Sequence, residues 1–527
     1  MLTREYDGLA GAGGVKDVSR QLAEALARRG KKVSVIMPLY GFMDPKALSF
    51  RLTELGFDVD MNYVGNDRRE SVRIWKARLN KVTVLFVDAQ RYREKRGIYT
   101  YSAEEASENP GHRQGASHYD YFAMNVLLQK AAIGVMILSG EKPDVIHCHD
   151  GHTALVPAMI REIEGYRHFF RHTGCVVTIH NAGWGYHQEV ADLPFVEALT
   201  GLPARIVRAN QLEGKFDPFL AASAYCVMNT VSENYARELR ETDDDRLTGW
   251  LGHQLLLRGV VLQGVTNGID PIRFDPSRPQ KMGLAAGFSP AEEDLSGKAI
   301  CRKDLVDELL DRCPSGVVQT GWLDTAPGQP LLTFIGRFSE QKGMDKLIGA
   351  LEILLPMDEL VQVVILGSGS VEIEHALVAL AEDQRFQGRI CLLRGYDQAL
   401  ALRIYAAGDF FLVPSQYEPC GLTDLIAQLF GNLPIVHHIG GLVKVVDGDT
   451  GFTYLEHSSV ALLDAMLKAL QVYRTDPGKM KAMRRAAVEK ILDRYSWDTV
   501  MEQYLALYRQ AMPDRTGQTK LSQTISI

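Results

Sequence analysis

Leu331-Leu-Thr-Phe-Ile-Gly-Arg-Phe-Ser-Glu-Gln-Lys-Gly343 is an apolar run that stops at a glycine, turns through a polar segment and leads into amphipathic sequence. A short buried strand that ends in a glycine turn just before a helix is the repeating unit of a parallel α/β sheet. Similar runs follow at 361–366, 390–393, 410–413 and 434–436, and others precede it at 33–37, 82–87, 144–147, 176–179 and 226–229. So many parallel strands would make one sheet unusually wide, so two sheets are expected, one in each half of the chain.

The 527 residues suit several domains of ~100–200 residues. A hydrophobic share of 46% and a charged share of 23% exclude a disordered, collagen-like or coiled-coil chain. With Lys+Arg at 58 and Asp+Glu at 65, the net charge of −7 provides no bulk positive field, so neither nucleic acid nor an anionic membrane is expected as a partner. Cys148, Cys175, Cys226, Cys301, Cys313, Cys391 and Cys420 are scattered and show neither Cys-x-x-Cys nor zinc spacing, which predicts reduced thiols in a cytoplasm. No apolar signal core opens the chain, and no run approaches the ~18 apolar residues of a membrane span. A repeat of 20–50 residues is absent as well, so a solenoid is not supported.

A stretch rich in Pro, Gly and charge separates the halves, with a helical period at 298–310. The expected organisation is an N-terminal Rossmann-like domain over 1–266, a linker over 267–327 and a second Rossmann-like domain over 328–495. A helix over 496–512 is expected to pack back on the first domain, followed by a disordered tail over 513–527. The two domains are expected to face each other across a cleft, strand C-termini inward, where ligands of open α/β sheets bind.

The candidate site residues sit at these strand ends. Gly8-Leu-Ala-Gly-Ala-Gly13-Gly14, followed by a helix carrying Asp17, offers bare backbone at a helix N-terminus, suited to a phosphate or a closely held sugar. A tight strand-to-helix turn would use the same glycines, and the spacing is not that of a Walker loop. His147-Cys-His149-Asp150-Gly-His152 admits a metal reading, a polar strand end and a sugar site with Asp150 accepting from hydroxyls. His180-Asn181 closes another strand before a glycine-rich loop and is a candidate ligand pair. Arg337 and Lys342, separated by a turn, can converge on one diphosphate, the first through its fork and the second as a point charge; a solvated surface pair is the alternative. Arg394-Gly-Tyr396-Asp397 supplies an aromatic face. In Tyr417-Glu418-Pro-Cys420-Gly421-Leu422-Thr423 a carboxylate that can grip hydroxyls precedes helix N–H groups that can hold phosphate. Asp243-Asp-Asp245 superficially matches an Asp-x-Asp metal signature, but its charged neighbours read as a solvated helix end or loop.

The ordered set of motifs resembles the glycogen and starch synthases, retaining nucleotide-sugar glycosyltransferases with two facing Rossmann-like domains, the GT-B fold. The motifs are Gly13-Gly14-Val-Lys-Asp17, Met37-Pro-Leu-Tyr40, His149-Asp-Gly-His-Thr-Ala-Leu155, Thr178-Ile-His-Asn181, Thr230-Val-Ser-Glu-Asn-Tyr-Ala236 and Asn267-Gly-Ile-Asp270. Arg337 to Gly343, Gly395-Tyr-Asp-Gln-Ala-Leu400, Glu418-Pro-Cys-Gly-Leu422 and Gly440-Gly-Leu442 complete the set. The resemblance covers nearly the whole chain. It implies glucosyl transfer from ADP-glucose, or UDP-glucose, to the non-reducing end of an α-1,4-glucan with retention, and no metal or other cofactor. Arg337 and Lys342 would neutralise the diphosphate, Glu418 would bind glucose hydroxyls, and His180 would stabilise the reacting centre. Asp150 and Asn267 would orient the sugar, and Tyr396 would cover the base. A hexosyltransferase of the same fold with another acceptor, or a catalytically weak glucan-binding protein, are the alternatives.

Three departures from the family pattern bear on these expectations. Gly11 stands where the family has a lysine near donor and acceptor, which opens the choice of donor nucleotide; Lys16 is the cation nearest in sequence. His438-Ile-Gly-Gly-Leu442 replaces Arg-x-Thr-Gly-Gly-Leu and is followed by a short loop. Only residues 1–5 stand for the first central strand, which predicts a stubby strand and a start upstream of Met1.

Overall fold

The computed structural model describes residues 1–311, 316–324 and 328–513. The chain forms two compact units, Met1–Gly268 together with the residues from Val500 on, and Ile269–Thr499.

In the first unit, strands β1 (Ser34–Pro38), β2 (Arg51–Asp60), β3 (Arg69–Leu79) and β4 (Val82–Asp88) form a sheet of order β1-β4-β3-β2. Strands β5 (Val145–His149), β6 (Gly174–Ile179), β9 (Val227–Thr230) and β10 (Gln263–Gly264) form another, of order β10-β9-β6-β5; β7 (Gln211–Leu212) and β8 (Lys215–Phe216) are a small separate hairpin. The N-terminal stub joins the two sheets. Leu2 bridges in parallel to both Ile36 and Cys148, donating its N–H to His147 O at 2.8 Å while Ile36 donates to Met1 O at 2.9 Å. The parallel strands thus run β4, β1, stub, β5, β6, a doubly wound order whose switch point lies between the stub and β5. Buried Arg4 pins the stub, donating to Tyr40 Oη at 3.1 Å and Asn125 Oδ1 at 3.0 Å.

β2 and β3 were not expected, and they pair antiparallel, as do β3 and β4. Their residues alternate between exposed and partly covered, and a short loop connects them, so no crossover helix is required. The helix Tyr121–Leu138 is the one helix among the described residues long and apolar enough to cross a membrane, yet 72% of it is buried inside the unit. A helix apolar on all sides is what a unit interior requires.

In the second unit, β11 (Val318–Leu323), β12 (Leu331–Ile335), β13 (Gln362–Gly367), β14 (Arg389–Arg394), β15 (Phe410–Val413), β16 (Leu433–His437) and β17 (Phe452–Tyr454) form one sheet of order β11-β14-β13-β12-β15-β16-β17. All neighbours are parallel except β11 against β14. Alternate strand residues enter opposite cores: Val364, Leu366, Phe411 and Val413 face one, and Val363, Ile365, Phe410 and Leu412 the other. This two-sided burial is why these strands read as continuous apolar runs. The switch point lies between β12 and β15, where the strand order reverses.

One domain expectation needs amending. The segment 267–327 is not a separate linker: from Ile269 it belongs to the second unit. Its helix Ser296–Asp311 lays Cys301, Leu305, Val306 and Leu309 into the core beside Ile404 and Val364. Amphipathic sequence next to a sheet face is buried there whatever the Pro and Gly content of its flanks. The helix Trp497–Ala511 belongs to the first unit from Val500 on, where Tyr508 Oη meets His147 Nδ1 at 2.9 Å and Gln510 accepts from Gln263 at 2.7 Å. The tail expected over 513–527 lies, beyond Pro513, outside the described residues, as does Cys313. The other six cysteines are buried and unbridged.

Candidate active site

At the first unit's switch point the glycine loop is already filled by a carboxylate of the chain itself. Glu5 Oε2 accepts from the backbone N–H of Ala12 at 2.6 Å and of Gly13 at 2.9 Å, and Glu5 Oε1 accepts from Tyr99 Oη at 2.7 Å. The donors expected to face phosphate at Ala12 and Gly13 are therefore used inside the protein, because a buried carboxylate needs such partners. Gly14 is the N-cap residue of the helix Val15–Arg28, and Asp17 in its first turn receives Lys16 Nζ at 2.6 Å. The Lys16 stem lies over the loop: a Cβ on Gly11 would stand 2.1 Å from Lys16 Cδ. The position where the family pattern carries a lysine is thus roofed by the methylenes of another lysine.

β5 ends in His149 and Asp150, and β6 in Ile179 just before His180. Asp150 takes a left-handed conformation, φ 59°, that turns its carboxylate onto the neighbouring strand end. There it accepts from the backbone N–H of His180 at 2.7 Å and also from that of Asn181. Burial pushes the Asp150 carboxyl up to about 8 in spite of these two bonds. Its oxygens hold the neighbouring strand end in place, a role that sequence reasoning, which gave it to sugar hydroxyls, did not foresee. Asn181 Oδ1 accepts from Gly183 N at 2.8 Å, and Asn267 Oδ1 from Tyr504 Oη at 3.4 Å.

The histidines are held by one another and by hydroxyls. His147 Nε2 meets Thr178 Oγ1 at 2.7 Å, and His149 Nδ1 meets His180 Nε2 at 2.9 Å. His152 packs against the Tyr99 ring, 4.8 Å between centroids. Burial pushes the His180 imidazole down to about 3 and holds His147, His149 and His152 well below the usual histidine range, so all four are neutral at pH 7. No group of three or more His, Cys, Asp or Glu side chains with metal-binding geometry occurs among the described residues. Asp245 of the acidic triplet is buried and accepts from Gly252 N, His253 N and Thr248 Oγ1, a local brace.

In the second unit the turn after β12 and the loop after β15 meet at the switch point. Lys342 ends a single turn, Glu340–Lys342, capped by Ser339, and Gly343 at φ 68° starts the helix Met344–Met357. A Cβ on Gly343 would stand 1.9 Å from Pro414 O, so glycine is what lets the two loops touch. Across this contact Lys342 Nζ lies 2.5 Å from Glu418 Oε2, which also accepts from Ser415 Oγ at 2.9 Å. Burial alone would raise the Glu418 carboxyl, but Lys342 and Ser415 outweigh it and hold the group below the usual glutamate range. Arg337 lies exposed two residues past the strand end, and Tyr396, with 62% of its surface exposed, lies past the end of β14.

A residue not singled out from sequence braces the Glu418 loop. Lys444 is buried and donates to the carbonyls of Cys420 at 2.6 Å, Gly421 at 2.8 Å and Gly441 at 3.0 Å, with Asp424 Oδ1 also at 3.0 Å. Gly440 and Gly441 allow the approach: their Cβ atoms would stand 2.1 Å from Glu418 O and 2.2 Å from Cys420 O. Gly421, at φ 73°, leads through Leu422 into the helix Thr423–Leu429. Cys420 is buried, and Leu422 and Thr423 are half-buried. The signal for Lys444 was a lone lysine in an otherwise apolar turn, which sequence alone cannot separate from a surface charge.

Residues 1–253 match the family described as starch synthase catalytic domain, and residues 329–472 match that described as glycosyl transferases group 1. A glycogen synthase of Anaeromyxobacter sp. (strain Fw109-5) is 34% identical over 511 residues, covering 94% of this chain and 96% of that protein. Glycogen synthase 2 of Geobacter sulfurreducens is 31% identical over 528 residues, covering 98% and 99%. Among solved structures, the catalytic domain of starch synthase IV from Arabidopsis thaliana, bound to ADP and acarbose, is similar with a TM-score of 0.80 at 26% identity, covering 97% of this chain and 98% of that one. A sucrose-phosphate synthase from Thermosynechococcus elongatus shares the fold with a TM-score of 0.57 at 16% identity, covering 97% of each chain.

Proposed function

The chain belongs to the glycogen and starch synthases, glycosyltransferases of GT-B fold that transfer glucosyl units to a glucan, and from this premise we propose that its donor is ADP-glucose and its acceptor the non-reducing end of an α-1,4-glucan. The observation that carries the residue roles is the half-buried Lys342 and Glu418 pair at the second unit's switch point, with Arg337 exposed on the same turn. A lysine and a carboxylate, both partly open to solvent at a switch point, suit a charged ligand that can take the place of either partner.

In this reading Lys342 exchanges Glu418 for the diphosphate when donor binds, and Arg337 adds its fork, so the leaving group's charge is met by two cations without a metal. Glu418, ionised, accepts from glucose hydroxyls. Held by Ser415 and engaged as acceptor of the glucose hydroxyls, Glu418 serves binding rather than attack, and retention proceeds on the front face with the departing phosphate taking the acceptor proton. Neutral His180 polarises the sugar without adding a charge to the reacting centre. Tyr396 stacks on the base. ADP as the nucleotide is supported by the related starch synthase solved with ADP.

The test is transfer of labelled glucose to glycogen from ADP-glucose and from UDP-glucose in parallel, with EDTA present. ADP-glucose-dependent incorporation unaffected by EDTA is expected. Preference for UDP-glucose would overturn the donor assignment, loss of incorporation on adding EDTA would overturn the metal-free reading, and no incorporation from either donor would overturn the acceptor.

A further inference from the structure

The pair His149 and His180 has a proton count that fixes its direction. The two imidazoles share one hydrogen bond, His149 Nδ1 to His180 Nε2 at 2.9 Å, and His149 Nε2 is fully buried with no hydrogen-bond partner. A neutral imidazole has one N–H and one lone pair. If His180 donated from Nε2, His149 would carry its proton on Nε2, as a buried N–H with no acceptor, and orphaned buried donors are the rarest unsatisfied groups in folded proteins. If His149 donates from Nδ1, its orphaned atom is only a lone pair. That arrangement leaves the His180 proton on Nδ1, an atom that makes no hydrogen bond among the described residues and is not sealed from solvent.

The surroundings supply no competing proton. His147 is itself oriented: Thr178 Oγ1 donates to Asn229 Oδ1 at 2.8 Å, so it accepts from His147 Nε2, and His147 Nδ1 accepts from Tyr508 Oη. His147 therefore has no proton to offer His149, and its ring lies 4.3 Å from that of His149 between centroids.

We propose that His149 is a positioning residue that locks His180 in its Nδ1–H tautomer, so that His180 presents a hydrogen-bond donor and never a lone pair to the sugar. This rests on the glucosyltransferase reading only for the identity of the ligand. The consequence for the reaction is that His180 cannot act as a general base at Nδ1; it serves only an oxygen lone pair, such as a donor-sugar hydroxyl accepting the bond.

The test is the imidazole nitrogen NMR spectrum of protein labelled with 15N-histidine, with His180 assigned by its loss in His180→Gln. In the wild type His180 is expected to show a protonated Nδ1 and an unprotonated Nε2. His149→Asn can place an amide N–H where Nδ1 stood and should keep that tautomer, with kcat within a few-fold of wild type. His149→Phe removes the donor and should move His180 toward the Nε2–H form. It should lower kcat about tenfold, which is about 1.4 kcal/mol of transition-state stabilisation, with little change in acceptor KM.

A protonated Nε2 on His180 in the wild type would overturn the proposal. So would an unchanged His180 spectrum in a folded His149→Phe. Should His149→Phe fail to fold, the wild-type spectrum and the Asn variant decide. The spectrum reads the tautomer without any substrate, so a protein with the expected spectrum but no glucan synthesis would refute the function and leave the tautomer assignment standing.

Discussion

Glu418 and Lys342 show how a side chain's neighbours decide its chemistry. Lys342→Met leaves the half-buried Glu418 carboxylate with only Ser415 as hydrogen-bond partner, so it should lower unfolding stability by about 1 kcal/mol, read as a shifted urea midpoint. Glu418→Gln keeps the shape and should cost little stability. Both are expected to lower kcat about 10²-fold or more, the size of losing one preorganised charge contact, and near-wild-type turnover in either would remove that residue from the site. The buried histidines make stability depend on pH with a definite sign. Their folded pKa values lie below the unfolded 6.5, so the unfolded chain binds more protons as pH falls. Their contribution is fully present above pH 6.5 and is lost as pH falls, for His180 down to about 3, by up to ~1.4 kcal/mol per pH unit for each histidine. Denaturant unfolding between pH 7 and 5 should show this slope, reduced by up to one proton in His180→Gln. Asp150 has the opposite sign. Its carboxyl lies at about 8, so its contribution is lost as pH rises from ~3.9 toward that value, and Asp150→Asn should flatten that part of the profile.

Loops rather than strands carry the site, and at the scale of the element what matters is how one loop is held by another. The Glu418 loop is fastened by Lys444 to three carbonyls and to Asp424, a carboxyl that burial raises to about 6 against the pull of Lys444. Lys444→Met should cost about 3–5 kcal/mol, since it leaves Asp424 buried without its cation, and adding Asp424→Leu should recover part of that loss. Thermal unfolding of the two variants side by side is the check; an additive double variant would mean that the pair is not coupled. Gly343→Ala forces a left-handed residue and a Cβ 1.9 Å from Pro414 O, so it should separate the Lys342 turn from the Glu418 loop and lower kcat together with stability. The strands themselves were legible because burial on both faces writes a continuous apolar run: 331–335 and 410–413 match β12 and β15 end to end. β2 and β3 escaped notice because they are exposed on one face and their period-2 signal is diluted by charge, as in Arg51-Leu-Thr-Glu-Leu.

For the whole molecule, the two units depend on different parts of the chain. The C-terminal helix supplies the first unit with Tyr504 and Tyr508, both buried or nearly so, and Gly174 has no room for a side chain because Ala511 O would lie 2.3 Å away. A chain ended after Thr499 should therefore lower the calorimetric transition of the first unit while leaving that of the second near its original temperature. Equal shifts in both would mean that the helix does not belong to the first unit alone.

What the sequence determined by itself was local: buried parallel strands, their glycine turns, the helix at the end, and the order of motifs at strand ends, because period, composition and spacing are properties of neighbouring residues. The tertiary structure decided what depends on residues distant in the chain. It placed the stub at the centre of the first unit's strands, between β1 and β5, and moved the helix Ser296–Asp311 from linker to the second unit's core. It filled the glycine loop with Glu5 and turned Asp150 onto the backbone of His180. It also paired His149 with His180 across 31 residues and Lys342 with Glu418 across 76. Hydrogen bonds and ion pairs are satisfied by whatever folding brings within about 3 Å, and no sequence pattern encodes that distance.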